Sequence, residues 1–352
     1  MEYGDRKHNQ LGPELQAFYD KTWLTQASQK AIFDRFFTNT KTLPQKSTEE
    51  VIFRKWIDPS ELYFAGQNVN ESLTGNDRDA GERTFMTTPK DAYKKFVLPE
   101  GSSGDSKQTM KYVEVSATVF PIGDWMPETE EINLLHPVYT TTEAVKQMGS
   151  LGGNIIDSYY RDQLSYGAGH VDDLTGTDVT AIALTASLEK MCLQLELSGA
   201  EMVSDVLSSH PNFGTVPVDS YYLATIHPLG AMQLRKNPDF VPLKEYAAGV
   251  TVLDNEVGII GLVRFIKNPN APLIPDGAGK YKAEIFVMGK DHSSQIALRG
   301  KNRTEVIFQP MGSGGIADPL KRKGTLGWKT WLGAKTLYPE RLGKIKIDIA
   351  YA

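Results

Sequence analysis

Several short segments carry residue types that could do chemistry. Gly312-Ser313-Gly314-Gly315 has the glycine density of a phosphate-cradling loop. Such a loop needs Gly-Lys-Ser/Thr, so that the lysine reaches the phosphates and the hydroxyl binds magnesium. Here Ile316-Ala317-Asp318-Pro319 follows, and Pro319 disfavours helix at Asp318, which leaves a flexible turn. Gly300-Lys301-Asn302 fails for want of a hydroxyl at Asn302. His170-Val171-Asp172-Asp173 offers metal-ligand types, but a hard cation needs further converging oxygens and none is indicated. Asp291-His292 has the types of an acid–base pair, yet no Gly-x-Ser-x-Gly nucleophile motif occurs, and a surface turn is the plainer reading. His227 before Pro228 suits a cap at a strand end. Asn70-Glu71-Ser72 and Asn302-Arg303-Thr304 match glycosylation acceptors, which matter only on a secretory route. Cys192 is alone, so it forms no internal disulfide and no cysteine metal cage; a small core residue is expected. Lys321-Arg322-Lys323 could touch phosphate backbones without sequence preference, although a solvated loop fits three charges as well. No catalytic constellation, metal site or cofactor site emerges, so a non-enzymatic protein is expected.

The elements that would have to hold such residues say more. The 352 residues are 40% hydrophobic and 23% charged, enough for a sizeable core and outside the range of disordered or fibrous chains. No stretch approaches the ~20 apolar residues that span a bilayer. Met1 to Pro13 lacks an apolar leader, so the chain is expected to stay in the cytoplasm that makes it. The net charge of −5 is unevenly spread. Residues 300–352 hold ten Lys/Arg against four acids, or +6, which leaves −11 for the first 299 residues. The acidic balance removes the global signature of a nucleic-acid binder, while the basic tail offers a limited polyanion-facing surface.

Along the chain, Pro13 and Glu14 suit a helix start, and Leu15, Phe18, Tyr19 and Trp23 recur at helical spacing. Residues 51–56 form a short strand. Residues 66–111 differ: only 11 of the 46 are hydrophobic, and acids and bases balance at seven each. Ordering so many backbones costs more than their few large apolar side chains return on burial, so this segment is expected to project and lie on something else. Val113, Val115, Ala117 and Val119 alternate with polar residues, a strand with one buried face. Thr140 and Glu143 have capping-box spacing before a long helix, about Thr141 to Ser165, whose expected apolar stripe is Ala144, Met148, Leu151, Ile155, Tyr159 and Asp162. Gly152-Gly153 in its middle predicts a bend or a closely approaching element. A loop over 167–176, a helix over 178–197 and short strands near 221–226, 258–266 and 284–288 follow. The end, 344–351, alternates isoleucine with lysine like a sheet edge. Irregular mixing of helices and strands gives the class α+β.

These residues also carry a resemblance. Phe18-Tyr19-Asp20-Lys21, Phe33-Asp34-Arg35-Phe36, Phe53-Arg54-Lys55-Trp56 and Ala224-Thr225-Ile226-His227-Pro228 resemble segments of tailed-bacteriophage major capsid proteins of the N4-like podophage type. So do Glu256-Val257-Gly258, Gly261-Leu262-Val263-Arg264-Phe265 and Val287-Met288-Gly289-Lys290-Asp291. The most specific stretch runs from Pro310-Met311-Gly312-Ser313 through Ala317-Asp318-Pro319-Leu320 to Gly327-Trp328-Lys329. The likeness is weakest over 66–111 and 165–220. It implies the Hong Kong 97 capsid fold: an N-terminal arm (1–50), a peripheral-domain strand (51–65), an extended hairpin or E-loop (66–111), a peripheral domain (112–175) on a spine helix (141–165), an axial domain (176–290) and a strand-rich return (291–352).

The resemblance further implies a major capsid protein that assembles with itself into hexamers and pentamers of an icosahedral head around double-stranded DNA. No cofactor and no membrane are implied. Arg78, Arg83, Asp91, Lys94, Lys95 and Phe96 of the E-loop are candidate intersubunit contacts, since balanced charges suit complementary neighbours. Lys321, Arg322 and Lys323 are candidate DNA-facing residues. Only about a dozen residues precede the first helix, so a separate scaffolding protein is expected, together with a portal and decoration proteins as further partners. The expected location is the virion, after assembly in the host cytoplasm. No cross-linking motif is found to carry over. Two alternatives stand beside this reading: an encapsulin-like compartment shell, and a soluble enzyme with an unrecognised site.

Overall fold

A computed structural model describes residues 13–37, 39–43, 50–56, 112–135, 141–178, 182–203, 221–246, 253–275, 280–298, 304–314 and 318–350. Helix α1 (Pro13–Lys30) ends in a 3-10 turn, Phe33–Phe36, and strands β1 (Asn39–Leu43) and β2 (Glu50–Trp56) follow. Strands β3 (Tyr112–Thr118) and β4 (Phe120–Thr129) lead through short helix α2 (Glu130–Leu135) to α3 (Thr141–Gly167). Next come β5 (His170–Asp178), α4 (Ile182–Leu197), β6 (Tyr222–Ile226) and α5 (Pro228–Leu234). Apart from the 3-10 turns Leu243–Glu245 and Pro339–Arg341, the remaining elements are strands: β7 (Val241–Pro242), β8 (Glu256–Ile260), β9 (Val263–Lys267), β10 (Leu273–Pro275) and β11 (Lys280–Met288). After these run β12 (Ser293–Leu298), β13 (Glu305–Gln309), β14 (Lys323–Leu332), β15 (Ala334–Thr336) and β16 (Leu342–Ala350).

The largest sheet has the order β5-β16-β11-β6-β9-β8-β7, with β10 also paired to β11. Its central strands β6, β9 and β11 are largely buried on both faces and therefore read as apolar runs such as Ile285-Phe286-Val287-Met288. Alternation divides them. Ala224, Ile226, Ile285, Val287, Ile345, Ile347 and Ile349 pack with Leu184, Leu188, Met191 and Leu195 of α4. Leu223, Phe286, Met288 and Leu342 point the other way, onto Phe33, Phe36, Phe37 and the α3 residues Tyr160 and Leu164.

Two local expectations change here. The 344–351 segment was expected at a sheet edge, but β16 lies inside the sheet, antiparallel to β11 and parallel to β5. Its polar residues serve cross-strand pairs instead of guarding an edge: Lys344 reaches Glu284 at 3.4 Å and Lys346 reaches Asp173 at 4.0 Å. The 167–176 segment was expected as a loop and is mostly β5, so the following helix starts at Ile182 and not at 178. Neither pairing partner is adjacent in sequence, which is why local composition misleads.

The spine helix α3 has 27 residues and is about 40 Å long at ~1.5 Å per residue. Its first half packs through Ala144, Val145 and Met148 on α1 and on Val306, Leu326 and Trp328; its second half packs on the large sheet. The buried face is rotated from the expected stripe: Gly149, Gly152 and Gly153 are buried, whereas Leu151 and Ile155 are exposed. The cause is the close approach that the glycine pair suggested. A β-carbon on Gly152 would stand 2.6 Å from Trp23 Cζ2, and one on Gly153 would stand 2.6 Å from the Ala27 carbonyl oxygen. Trp23 in turn stacks on Trp328 at 5.4 Å between ring centres.

A buried carboxylate locks this junction. Asp157 of α3 is fully buried, and its Oδ1 accepts from the amides of Ile32 and Phe33 at 2.7 and 2.6 Å. Its Oδ2 accepts from Asn268 Nδ2 at 3.1 Å and Asn270 Nδ2 at 2.8 Å. Four donors thus replace the water a charged group would otherwise need, and α1, the spine and the large sheet are tied at one atom pair. Three smaller sheets complete the fold: β1-β12-β15, β13-β14-β4 and the two-stranded β2-β3.

Candidate assembly surface

The β2-β3 ribbon is where the long polar segment leaves the body. The strands pair antiparallel from Glu50 opposite Thr118 to Trp56 opposite Tyr112. Residues 57–111 therefore depart and return at one place. The inner end of the ribbon is anchored, because Val51, Phe53, Ala117 and Val119 pack with Ile296. The outer end is not: Tyr112 and Val113 are each about half exposed, and so is Ile52 on the outer face of the anchored end. The expected buried face of β3 thus fades outward, from Ala117 (buried) through Val115 (half-buried) to Val113 (47% exposed). Two strands alone are marginal in water, and the outer face of this ribbon has no cover among the described residues. On its outer face Arg54 bonds Glu114 at 3.2 Å and lies 5.4 Å over the Tyr112 ring, a solvent-screened pair that adds little. On its inner face Lys55 forms an ion pair with Glu340 and sits 4.6 Å over the Tyr338 ring.

A second exposed region lies at the α2 end of the β13-β14-β4 sheet. Leu134 and Leu135 of α2 and Leu320 of the loop before β14 are three-quarters exposed, and Trp125 of β4 is 65% exposed. Arg322 joins the two segments by ion pairs to Glu130, at 3.7 Å, and to Glu131. Leu151 and Ile155 form a third site, one turn apart on the open side of the spine. Sequence reasoning missed all three, since an exposed leucine has no local signature and burial depends on partners far away in the chain.

The candidate contact residues Arg78, Arg83, Asp91, Lys94, Lys95 and Phe96 lie outside the described residues. The three candidate DNA-facing residues are exposed, but not alike. Arg322 is neutralised by its two glutamates, Lys321 holds a left-handed backbone at φ 56°, and the amides of Arg322 and Lys323 bond the Asp318 carboxylate at 3.1 and 2.8 Å.

The other chemical candidates are dispersed by the fold. Along β5, Asp172 turns to Ser187 and Lys190, Asp173 to Lys346, and His170 to the Glu340 carbonyl, so the three do not converge. Among the described residues no group of three or more His, Cys, Asp or Glu could hold a metal ion. Ser198 Oγ stands 3.4 Å from His170 Nε2. The hydroxyl donates to the Gln194 carbonyl at 2.8 Å and Nε2 faces the Glu340 carbonyl at 3.1 Å, so the serine proton is not aimed at a free base. His292 does not pair with its neighbour as a catalytic dyad; its Nδ1 bonds the Gly289 carbonyl at 3.1 Å in the core. His227 caps α5, not a strand end, by accepting from the Leu229 amide. Cys192 is a core residue of α4, and burial pushes its thiol up to about 12, far from a reactive thiolate. Among the described residues no helix is long and apolar enough to cross a membrane.

No protein-family model matches the sequence, and no curated protein sequence matches it. Solved structures do match in fold. The head of Helicobacter pylori bacteriophage KHP40 superposes with a TM-score of 0.56 at 13% identity, over 91% of each chain. The capsid of Ralstonia phage GP4 matches at 0.54 and 12% identity, over 100% of this chain and 98% of that one. The capsid of cyanophage P-SCSP1u matches at 0.54 and 11% identity, over 90% and 88%. A two-stranded stem, a spine helix and a large sheet whose central strands are buried, in this order, thus make up the α+β Hong Kong 97-type capsid fold.

Proposed function

We propose that this chain is the major capsid protein of a tailed bacteriophage, of the N4-like podophage type, and builds the head shell from copies of itself. The observation that carries this reading is the stem: a paired ribbon, exposed along its outer face, that launches 55 residues from a body already closed around its own core. Such an extension suits contact with a neighbouring copy. Repeated contacts of that kind close into rings, hence hexamers and pentamers. The large sheet with α4 suits the axial domain, and α3 with the satellite sheets suits the peripheral domain. Arg78, Arg83, Asp91, Lys94, Lys95 and Phe96 remain the proposed intersubunit contacts. Lys321 and Lys323 are better candidates than Arg322 for packaged DNA, because their charges are not spent on Glu130 and Glu131. A separate scaffolding protein, a portal and assembly in the host cytoplasm belong to the same proposal, as does the absence of enzymatic activity.

Expression of the chain, with and without a scaffolding protein, followed by size-exclusion chromatography and negative-stain imaging, tests it. Closed particles are expected from the full chain. A variant with residues 66–111 replaced by a short Gly/Ser turn is expected to fold and to yield none. A stable monomer in every condition, unchanged by that replacement, overturns the proposal, and a cargo enzyme enclosed in place of DNA favours a compartment shell.

A further inference from the structure

The geometry points to Lys55 and Glu340 as a buried latch that sets the direction in which the ribbon leaves the body, and we propose that this latch selects the curvature of the assembled shell. The inference rests on the capsid reading and names a positioning device within it. On the inner face of β2 the alternation runs Val51, Phe53, Lys55. The first two are buried against Ile296, and the third is the last residue of that face before the chain leaves the described ribbon. Two apolar anchors and the bond that Lys41 Nζ donates to the Ile52 carbonyl at 2.6 Å hold the inner end of the ribbon, and they leave its outer end free to pivot, because apolar contact is not directional. A charge at the third position removes that freedom only if a fixed counter-charge meets it, and one does.

Glu340 forms the ion pair with Lys55, the two side chains being 10% and 20% exposed. Tyr338 lies beneath, its ring 4.6 Å from Lys55 Nζ on one approach and 4.4 Å from the Arg341 guanidinium on another. The turn that carries Glu340 is itself fixed to the body. The Gly169 amide, just past the spine helix, bonds the carbonyls of Pro339 and Leu342 at 2.9 and 3.1 Å. The amides of Leu337 and Tyr338 bond the His292 carbonyl at 2.9 and 3.0 Å, and His170 Nε2 bonds the Glu340 carbonyl at 3.1 Å. One carboxylate therefore reports the positions of the spine end, β12 and β16 to the base of the ribbon. A partly buried ion pair of this kind adds little net stability over an apolar pair of equal volume, but it specifies one geometry among several. That division predicts a variant that folds normally and assembles wrongly.

The test compares Lys55→Met/Glu340→Gln, which removes both charges, with the swap Lys55→Glu/Glu340→Lys and with Glu340→Gln alone. Thermal unfolding of the double variant is expected within a few degrees of the parent. Particles from it are expected to vary in diameter or to remain open, and the swap is expected to restore uniform ones. Particles from Lys55→Met/Glu340→Gln with the parent's diameter distribution overturn the proposal, as does a swap that behaves like the double variant. A readout independent of shells separates failure of the latch from failure of the capsid reading. In Glu340→Gln, hydrogen exchange at the amides of residues 53–55 is expected to be about tenfold faster, while those of β11 stay unchanged. Unchanged exchange at 53–55 overturns the latch whether or not the chain forms particles.

Discussion

The large sheet and the β2-β3 ribbon are built from similar residues and meet opposite fates. In the sheet, every apolar strand finds a cover on each face, with α4 on one side and the spine with the Phe33–Phe37 segment on the other. In the ribbon, the inner face is held by Ile296 and by the Lys55–Glu340 pair, and the outer face is open. β-Propensity therefore does not distinguish them; the number of layers available within one chain does. A region with both layers gains its order from its own polypeptide. A region with half a layer is complete only where something else covers it.

The comparison breaks hardest on the sheet side. Phe286→Ala removes a fully buried ring that meets Phe33 edge-on at 6.1 Å, and about 3–5 kcal/mol of stability is expected to go with it, measured by urea unfolding. Asp157→Ala is expected to cost on the order of 3 kcal/mol, since it strands the Ile32 and Phe33 amides without water to replace the carboxylate. Hydrogen exchange at those two amides should rise more than in β11. An Asp157→Ala protein as stable as the parent would show that the junction is held by packing alone.

How far the sequence reveals this difference depends on the range of the interactions. The spine was legible over 141–165 because Thr140, Glu143 and a 25-residue periodicity are local signals, and the helix runs two residues further. Its contact face was not legible. Periodicity counts leucines and isoleucines, whereas here glycines make the contact and Leu151 and Ile155 are left outside. β16 looked like an edge because its lysines alternate with isoleucines; only the partners Glu284 and Asp173, 60 and more residues away, show why a central strand tolerates them. The ribbon was visible as two strands, but not its pairing, and no local pattern joins Lys55 to Glu340 across 285 positions. Of the charged candidates at the basic tail, the pattern could not show that Arg322 is already occupied.

Smaller effects sharpen the same contrast. Gly153→Ala should gain helix propensity, worth up to ~1 kcal/mol, and still lose stability by about 1–3 kcal/mol, because the Ala27 backbone cannot yield. A Trp23 emission shift should accompany the loss, since Trp23 sits in the same contact. Acid acts with opposite signs on two buried groups beside the Phe33–Phe37 segment. Burial and the neighbouring Asp157 charge push Asp34 up to about 6, so the folded chain holds this proton more tightly than the unfolded one. Its contribution to stability therefore rises as pH falls from about 6 towards 4. Burial pulls His292 down to about 4, so the unfolded chain binds that proton first and stability falls across 6.5 to 4. Asp34→Asn should make the unfolding midpoint fall more steeply with acid, and His292→Gln should flatten it; about 1 kcal/mol in each direction is expected between pH 7 and 5. Identical pH profiles for both variants and the parent would refute the assignment.

The smallest expected effect on the isolated chain is the most informative about its purpose. Val113→Ser and Ile52→Ser alter side chains that are nearly half exposed, Val113 at the outer end of the ribbon and Ile52 on its outer face. On the chain alone they should shift unfolding by no more than about 0.5 kcal/mol, as surface substitutions do. If a second copy covers this ribbon, the same changes remove apolar area that is dry only in the assembly, and particle yield should drop while the monomer melts as before. A loss of monomer stability of several kcal/mol would instead mean that the chain covers its own ribbon, and the division between a self-sufficient sheet and a dependent stem would fail.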